Sequence, residues 1–437
     1  MRKSWNAAGV IFLLLGLIHG AFAQDEAVNQ GALAAPAYLS EGSMASDFLR
    51  NETVTSRAHP ETAAQGINAG GWQIFPRVGV TESYNDNIYA TNSALFSDFI
   101  TNVAPDVQFR TNWNNNSIAL DANSSSNFYT KHTTENTTDY SVTGNGRFDI
   151  TRQEYLAVRG GYSFLHEDRT SPNNSFGILP TTFGLTDGEV EYFDKFNRLS
   201  LTANGVFNKF NYNNVGNGSG GFILNTDRSR AEYTGSVRLG YELRSLLEVY
   251  VKGTGSDRSY DHKVSSDGFE RSSTGYTATS GMALDMGGIT FGEIGVGYMA
   301  RSYQDPRFLS VSGVTASAAV TWNVTTLTTV RLSAQRSIEE TIAAGSSGFV
   351  ASTGSLTIDH ELLRNLLLNL SGGVDYNKYQ QDAGRTDLVP KASVGATYSM
   401  NRNLTLSAKY SYRNQEDSSP TLSFTQNLAL VRLTLQL

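Results

Sequence analysis

Cysteine is absent from all 437 residues. That excludes a disulfide framework, a thiolate metal site and a cysteine nucleophile. Past residue 23 no apolar run approaches the roughly 20 residues a spanning helix needs. Membrane residence would therefore require a closed barrel, the other structure that satisfies every backbone amide in lipid. Apolar residues make up only 39% of the chain, and its 34 basic residues are outnumbered by 41 acids. An acidic balance argues against nucleic acid as a partner. Of the 6 histidines, none falls in a zinc spacing such as H-E-x-x-H.

What is present begins with a leader. Arg2 and Lys3 form a basic n-region, an apolar stretch runs from Ala7 to Ile18, and Ala21-Phe22-Ala23 is an A-x-A cleavage site. Residues 1–23 read as a secretory signal peptide, with the mature chain expected from Gln24. No cysteine follows the cleavage site, so a lipid-anchored form is not expected. Losing Arg2 and Lys3 makes the mature chain more acidic still.

Residues 24–70 are rich in Ala, Ser, Glu and Asn and show no sustained period. They are expected to form a flexible periplasmic N-terminal segment, a plug being the sharper alternative. From Trp72 the pattern changes. Leu404, Leu406, Ala408, Tyr410 and Tyr412 alternate with Thr405, Ser407, Lys409, Ser411 and Arg413, a period of two that reads as a strand with one apolar and one polar face. Repetition of this pattern to the last residue predicts an all-β chain. The expected fold is a transmembrane up-and-down antiparallel β-barrel over residues 71–437 of about eighteen strands, sixteen being the nearest alternative.

The connections alternate in the same sense. Tight ones such as Leu243-Arg244, Asn323-Val324-Thr325 and Asn401-Arg402 interleave with long polar ones, including 170–185, 213–226 and 339–346. Short periplasmic turns and longer surface loops are the pattern of an outer-membrane barrel.

The two faces of the strands carry the functional expectation. Leu199, Leu201, Val237, Leu239, Val249, Val251, Leu356, Leu370, Val394, Leu433 and Leu435 fall on one side. Arg147, Arg159, Arg238, Glu248, Lys252, Arg301, Arg331, Asp375, Lys391, Lys409, Arg413 and Arg432 fall on the other and are the candidate lumen-lining residues. A charge on the lipid face costs about 2–4 kcal/mol at the midplane, so this sorting implies a wet interior. Most of the tyrosines near the predicted strand ends, among them Tyr84, Tyr129, Tyr155, Tyr212, Tyr260, Tyr303, Tyr376, Tyr379, Tyr398 and Tyr410, are expected in interfacial girdles. An inward Tyr250 that stacks on sugar rings is the alternative reading of such residues.

Signals of catalysis are weak. His166-Glu167-Asp168, Asp261-His262 and Asp359-His360-Glu361 set carboxylates beside imidazoles, but neighbours in a strand point to opposite faces. Gly216 to Gly221 precedes no helix that could hold a phosphate, and Asn85-Asp86-Asn87 lacks the length of a calcium loop and reads as a turn. No catalytic, cofactor-binding or metal residue is expected, so the chain is read as not an enzyme. A surface hydrolase and a non-conducting adhesion barrel are the alternatives.

Several segments resemble the bacterial putative β-barrel porin family. They are Glu82 to Thr91 followed by Ser97 to Asp106, then Leu327 to Leu332 with Arg336 to Thr341, Asp359 to Asn365, and Asn401-Arg402 before the penultimate strand. The resemblance implies a Gram-negative outer-membrane barrel whose relatives often neighbour genes for extracellular polysaccharide. It implies a porin-like channel for polar solutes, of the saccharide or exported exopolysaccharide class. The implied partners are outer-membrane lipid and lipopolysaccharide, the barrel-assembly machinery and polysaccharide secretion components, with no nucleic acid and no cofactor. Leu437 stands where such barrels usually end in Phe.

Overall fold

A computed structural model describes residues 52–437 apart from Ala58, Ala344 and Ala383. The leader and most of the N-terminal segment lie outside the described residues. Eighteen long strands form one antiparallel sheet. They are β1 (Trp72–Asn85), β2 (Asp98–Thr111), β3 (Ser117–Tyr129), β4 (Thr137–Asp149), β5 (Glu154–His166) and β6 (Thr182–Phe196). There follow β7 (Leu199–Tyr212), β8 (Arg230–Arg244), β9 (Leu247–Tyr260), β10 (Ser273–Asp285), β11 (Thr290–Tyr303) and β12 (Val311–Thr325). The last third comprises β13 (Thr328–Glu339), β14 (Phe349–Leu363), β15 (Leu366–Tyr379), β16 (Thr386–Ser399), β17 (Leu404–Asp417) and β18 (Phe424–Gln436).

Each strand pairs with the next, and β18 returns to β1, with Val80 opposite Leu433 and Tyr84 opposite Ala429. Closure removes both sheet edges, which in lipid would expose unpaired amides. Eighteen tilted strands at the usual spacing give a barrel about 36 Å across, too wide for side chains alone to fill.

The alternation fixes which way each strand faces. Val142, Val158, Val190, Leu239, Val251, Ile294, Leu332, Leu370, Val394 and Leu433 are exposed on the outside, the apolar belt of a transmembrane barrel. Connections at one end are turns of two to five residues, and at the other loops of six to seventeen. Asn197 supplies a positive φ of 56° in the two-residue turn after β6, a conformation asparagine tolerates.

The tyrosines divide. Tyr84, Tyr376, Tyr398 and Tyr410 are exposed on the outer face. Tyr129, Tyr155, Tyr212, Tyr260, Tyr303 and Tyr379 instead stand on the inner face, contrary to a girdle that takes in most of the ten. Parity decides this: Tyr260, like Tyr250, shares its side with Lys252 and opposes Val249 and Val251. Polar partners inside fit it, since Tyr155 Oη donates to Glu191 Oε1 (2.9 Å) and Tyr260 Oη donates to Glu340.

The described part of the N-terminal segment packs on the turn end. Val54, only 1% exposed, donates its N–H to Thr329 Oγ1 (3.0 Å) on the inner face of β13. Asn323 Nδ2 donates to Glu52 O (2.9 Å), and Arg57 Nη1 pairs with Glu361 Oε2 (3.2 Å). Residues Ile67–Ala69 then pair with the start of β1. The segment thus straps the turn-end mouth from β12–β14 to β1.

Candidate channel constriction

All twelve candidate lumen residues stand on the inner face, opposite the exposed apolar residues of their strands, but they are not a row of free charges. Arg238 Nη2 lies 3.2 Å from both Glu248 Oε1 and Glu293 Oε2, and its guanidinium sits 4.0 Å from the Tyr250 ring centroid. Arg331 pairs with Asp359 (2.7 Å), Arg147 with Asp149 (2.9 Å), Lys391 with Asp375 and Arg159 with Asp187 (3.6 Å). Lys252 and Lys409 lie on the same wall, and Arg432 Nε donates to Thr81 Oγ1 (2.7 Å). Arg301 and Arg413 are held by neutral oxygens instead. Arg301 donates to Ser273 Oγ (2.9 Å) and Ser256 Oγ (2.7 Å). Arg413 donates from Nη1 to Thr170 Oγ1 (3.0 Å) and from Nη2 to Thr170 O (3.2 Å).

Arginine over an aromatic ring recurs along this wall. Arg147 lies 3.9 Å from the Tyr155 centroid, Arg230 4.4 Å from Phe210 and Arg385 4.1 Å from Tyr379. Such contacts are worth about 0.5–2 kcal/mol and hold both groups flat. Glycine makes room for one of them: a Cβ at Gly281 would lie 2.5 Å from Tyr250 Oη, and one at Gly295 2.6 Å from it. Tyr250 therefore lies flat on the wall.

Two long loops turn into the barrel and meet. In the β5–β6 loop, Glu167 is clamped by Arg228 (2.6 and 2.9 Å) and Arg169 by Glu135 (2.8 and 2.9 Å), and Thr170 is held by Arg413. In the β13–β14 loop, Glu340 accepts from Arg258 Nη1 (2.6 Å) and from Tyr260 Oη, while Arg271 Nη1 donates to Thr341 O (3.2 Å) and Ser346 O (3.0 Å). Asn173 joins the loops, its Nδ2 donating to Glu340 O (3.4 Å) and its Oδ1 accepting from Ile342 N–H (3.1 Å). The parent strands are separated by about a third of the circumference or more in either direction. The contact therefore crosses the lumen.

Charge holds the bridge. Burial pushes the Glu340 carboxyl up, but Arg258, Arg230 and the Tyr260 hydroxyl bring it net below the ordinary glutamate value. Burial likewise raises Asp267, which hydrogen bonds from Ser265 and its Arg271 partner return to below normal. At neutral pH both carboxylates are ionised and engaged.

Of this bridge, parity could have found Arg230 and Arg258, which share the side of Arg238 and Lys252. Nothing local singles out Asn173, Thr170 or Glu340. The sequence-adjacent acid–imidazole pairs do not form: His166 Nδ1 lies 2.8 Å from Asp139, His262 Nδ1 3.0 Å from Asp227 and His360 Nδ1 3.0 Å from Thr328 Oγ1. Asn87, fully buried, donates to Thr91 O (2.8 Å) and Thr425 O (2.9 Å) as a turn brace. Residues 216–221 form the tip of a small hairpin. Among the described residues no group of three or more His, Asp or Glu side chains is arranged to hold a metal.

A closed, apolar-belted barrel with a charged interior narrowed by inward loops defines a transmembrane β-barrel of the porin type. The chain belongs to the family described as Putative beta-barrel porin 2, whose pattern matches residues 59–437. Among curated proteins no match is found. Among solved structures the chain is similar to the outer membrane protein OpdK of Pseudomonas aeruginosa, at 12% identity and a TM-score of 0.46, covering 84% of this chain and 99% of that one. OpdO of the same organism gives 12% identity and a TM-score of 0.45 over 87% and 99%. A mutant of its ferric enterobactin receptor PfeA gives 8% and 0.43 over 85% and 81%.

Proposed function

We propose that this protein is an outer-membrane channel for polar solutes of the saccharide class, including an exported polysaccharide, with the two inward loops as its gate. The observation that carries the reading is the inner wall, where ion-paired and hydroxyl side chains face the lumen while the arginine-stacked rings of Tyr155, Phe210, Tyr250 and Tyr379 lie buried against it. Such a surface offers hydrogen bonds and charge to the hydroxyls and carboxylates of a polar solute. Family membership supports the porin class; the solute class rests on the wall chemistry and on the resemblance noted above. Selection would follow lumen width and the inward charges, with no chemical step.

Planar-bilayer recording of refolded protein is the first test. Discrete conductance steps, blocked from one side by maltodextrin or an acidic oligosaccharide, are expected. A folded barrel that stays silent across pH and voltage would reject the channel and favour a display barrel, the reading to which the loop bridge lends itself. Steps that no saccharide alters would retain the channel and reject the solute. For export, deletion of the gene should abolish surface polysaccharide while synthesis continues.

A further inference from the structure

The backbone ladder of the closed wall is incomplete at one seam. Between β12 and β13 the backbone ladder stops at Ser317 opposite Gln335. Both strands run on toward the loop end, residues 311–316 paired only with β11 and residues 336–339 only with β14. No other neighbouring pair leaves so long a stretch open among the described residues. Two side-chain bonds replace the ladder, from Thr315 Oγ1 to Arg336 O (2.7 Å) and from Arg336 Nε to Val314 O (3.1 Å). The open stretch runs about 13 Å along the strand, which the strand tilt reduces to about 10 Å of depth below the strand ends.

The strands part because the β13–β14 tip leans into the barrel. Ile338 and Val350 share outward parity with the exposed Leu332 and Leu356. They are nonetheless packed against Met299, Val311 and Tyr303, which carry the inward parity of β11 and β12. Gly348 is pressed so close that a Cβ there would lie 2.9 Å from Tyr303 Oη and 2.6 Å from Glu339 O. An apolar floor inside a polar lumen thus adjoins a stretch of wall that has no backbone ladder. Beside it stands Arg301, directly opposite Val311 in the ladder, a cation whose partners are the neutral Ser256 and Ser273.

We propose that this seam is a lateral portal for an anionic membrane amphiphile. When the tip swings outward, Ile338 and Val350 vacate the floor formed by Met299 and Val311. A lipid acyl chain enters from the outer leaflet in their place, and Arg301 meets the anionic head group. The cost of unpaired amides in hydrocarbon, several kcal/mol per group, explains why the seam is confined to the loop half, where head groups and water can serve them. The pairing of chain and charge selects for amphiphiles over free sugars.

The absence of cysteine permits a clean test on the full refolded chain. Gly313→Cys puts a thiol on the inner face beside the seam, where a Cβ meets nothing within 4 Å. It is labelled with bimane and placed in vesicles containing brominated-chain phosphatidylglycerol or phosphatidylcholine. Leu332→Cys on the outer face and Ser371→Cys on the inner face of β15 are the controls. Quenching at position 313 should exceed that at 371 at least fivefold, and Val350→Ala, which loosens the tip, should raise it further. Quenching no greater than at 371, in both the parent and the Val350→Ala background, overturns the portal. Phosphatidylglycerol should quench more than phosphatidylcholine, a preference lost in Arg301→Gln. Equal quenching by the two lipids overturns the anionic assignment.

Discussion

Replacing Glu340 with glutamine should open the gate, and the structure sets the size of the effect. The carboxylate is buried, accepts from Arg258 Nη1 at 2.6 Å and from Tyr260 Oη, and its own carbonyl receives Asn173. A charged hydrogen bond of this kind contributes about 1.5–3 kcal/mol. Arg258 keeps Glu232 at 3.1 Å, so its charge is not orphaned and the lower half of that range applies. A loss of about 2 kcal/mol multiplies the ratio of open to closed loops about 30-fold. The same logic gives a pH dependence. The folded-state pKa of Glu340 lies below its ordinary value, so its contribution is complete above the ordinary value of about 4.3 and is lost as pH falls through the depressed one. The native channel should therefore open on acidification below about pH 4, whereas Glu340→Gln should be open already and show less response. Single-channel recording measures both. An open-to-closed ratio within about twofold of the parent at neutral pH, in a variant that still runs as a folded barrel, would refute the gate.

Other changes have readable outcomes. Gly281→Ala places a methyl 2.5 Å from the Tyr250 ring and hydroxyl; it should push that ring into the lumen, lower single-channel conductance and cost about 1–3 kcal/mol in urea unfolding. Arg238→Ala leaves Glu248 and Glu293 without their shared cation, and reversal potentials in a salt gradient should shift toward cation preference. Glu361→Gln breaks the partly exposed pair with Arg57, worth about 0.5–1 kcal/mol, and trypsin cleavage after Arg57 should quicken about two- to fivefold. An unchanged rate would show that this pair does not hold the strap.

The barrel was legible because a period of two is a local property. Leu404, Leu406 and Ala408 against Thr405, Ser407 and Lys409 state their faces without reference to the rest of the chain. Parity, pursued strictly, also places Tyr155, Tyr212 and Tyr260 inside, where proximity to a strand end had suggested a girdle. The constriction was not legible. Arg258 and Glu340 are 82 residues apart, and Asn173 and Glu340 are 167 apart, and no local pattern announces which loop turns inward. The seam is less legible still, since Ile338 and Val350 keep regular alternation and only the packing reveals that their outward face has met an inner wall.

Asn173 gives its side-chain amide to a loop other than its own. Its donor and acceptor are both spent on the β13–β14 loop, while its backbone belongs to the β5–β6 loop, itself clamped at Glu167, Arg169 and Thr170. Neither loop can withdraw without breaking the same pair of bonds. The barrel should therefore behave as a single switch, with current appearing and vanishing in whole steps, and Asn173→Ala should turn that switch into two independent ones with an intermediate level between them.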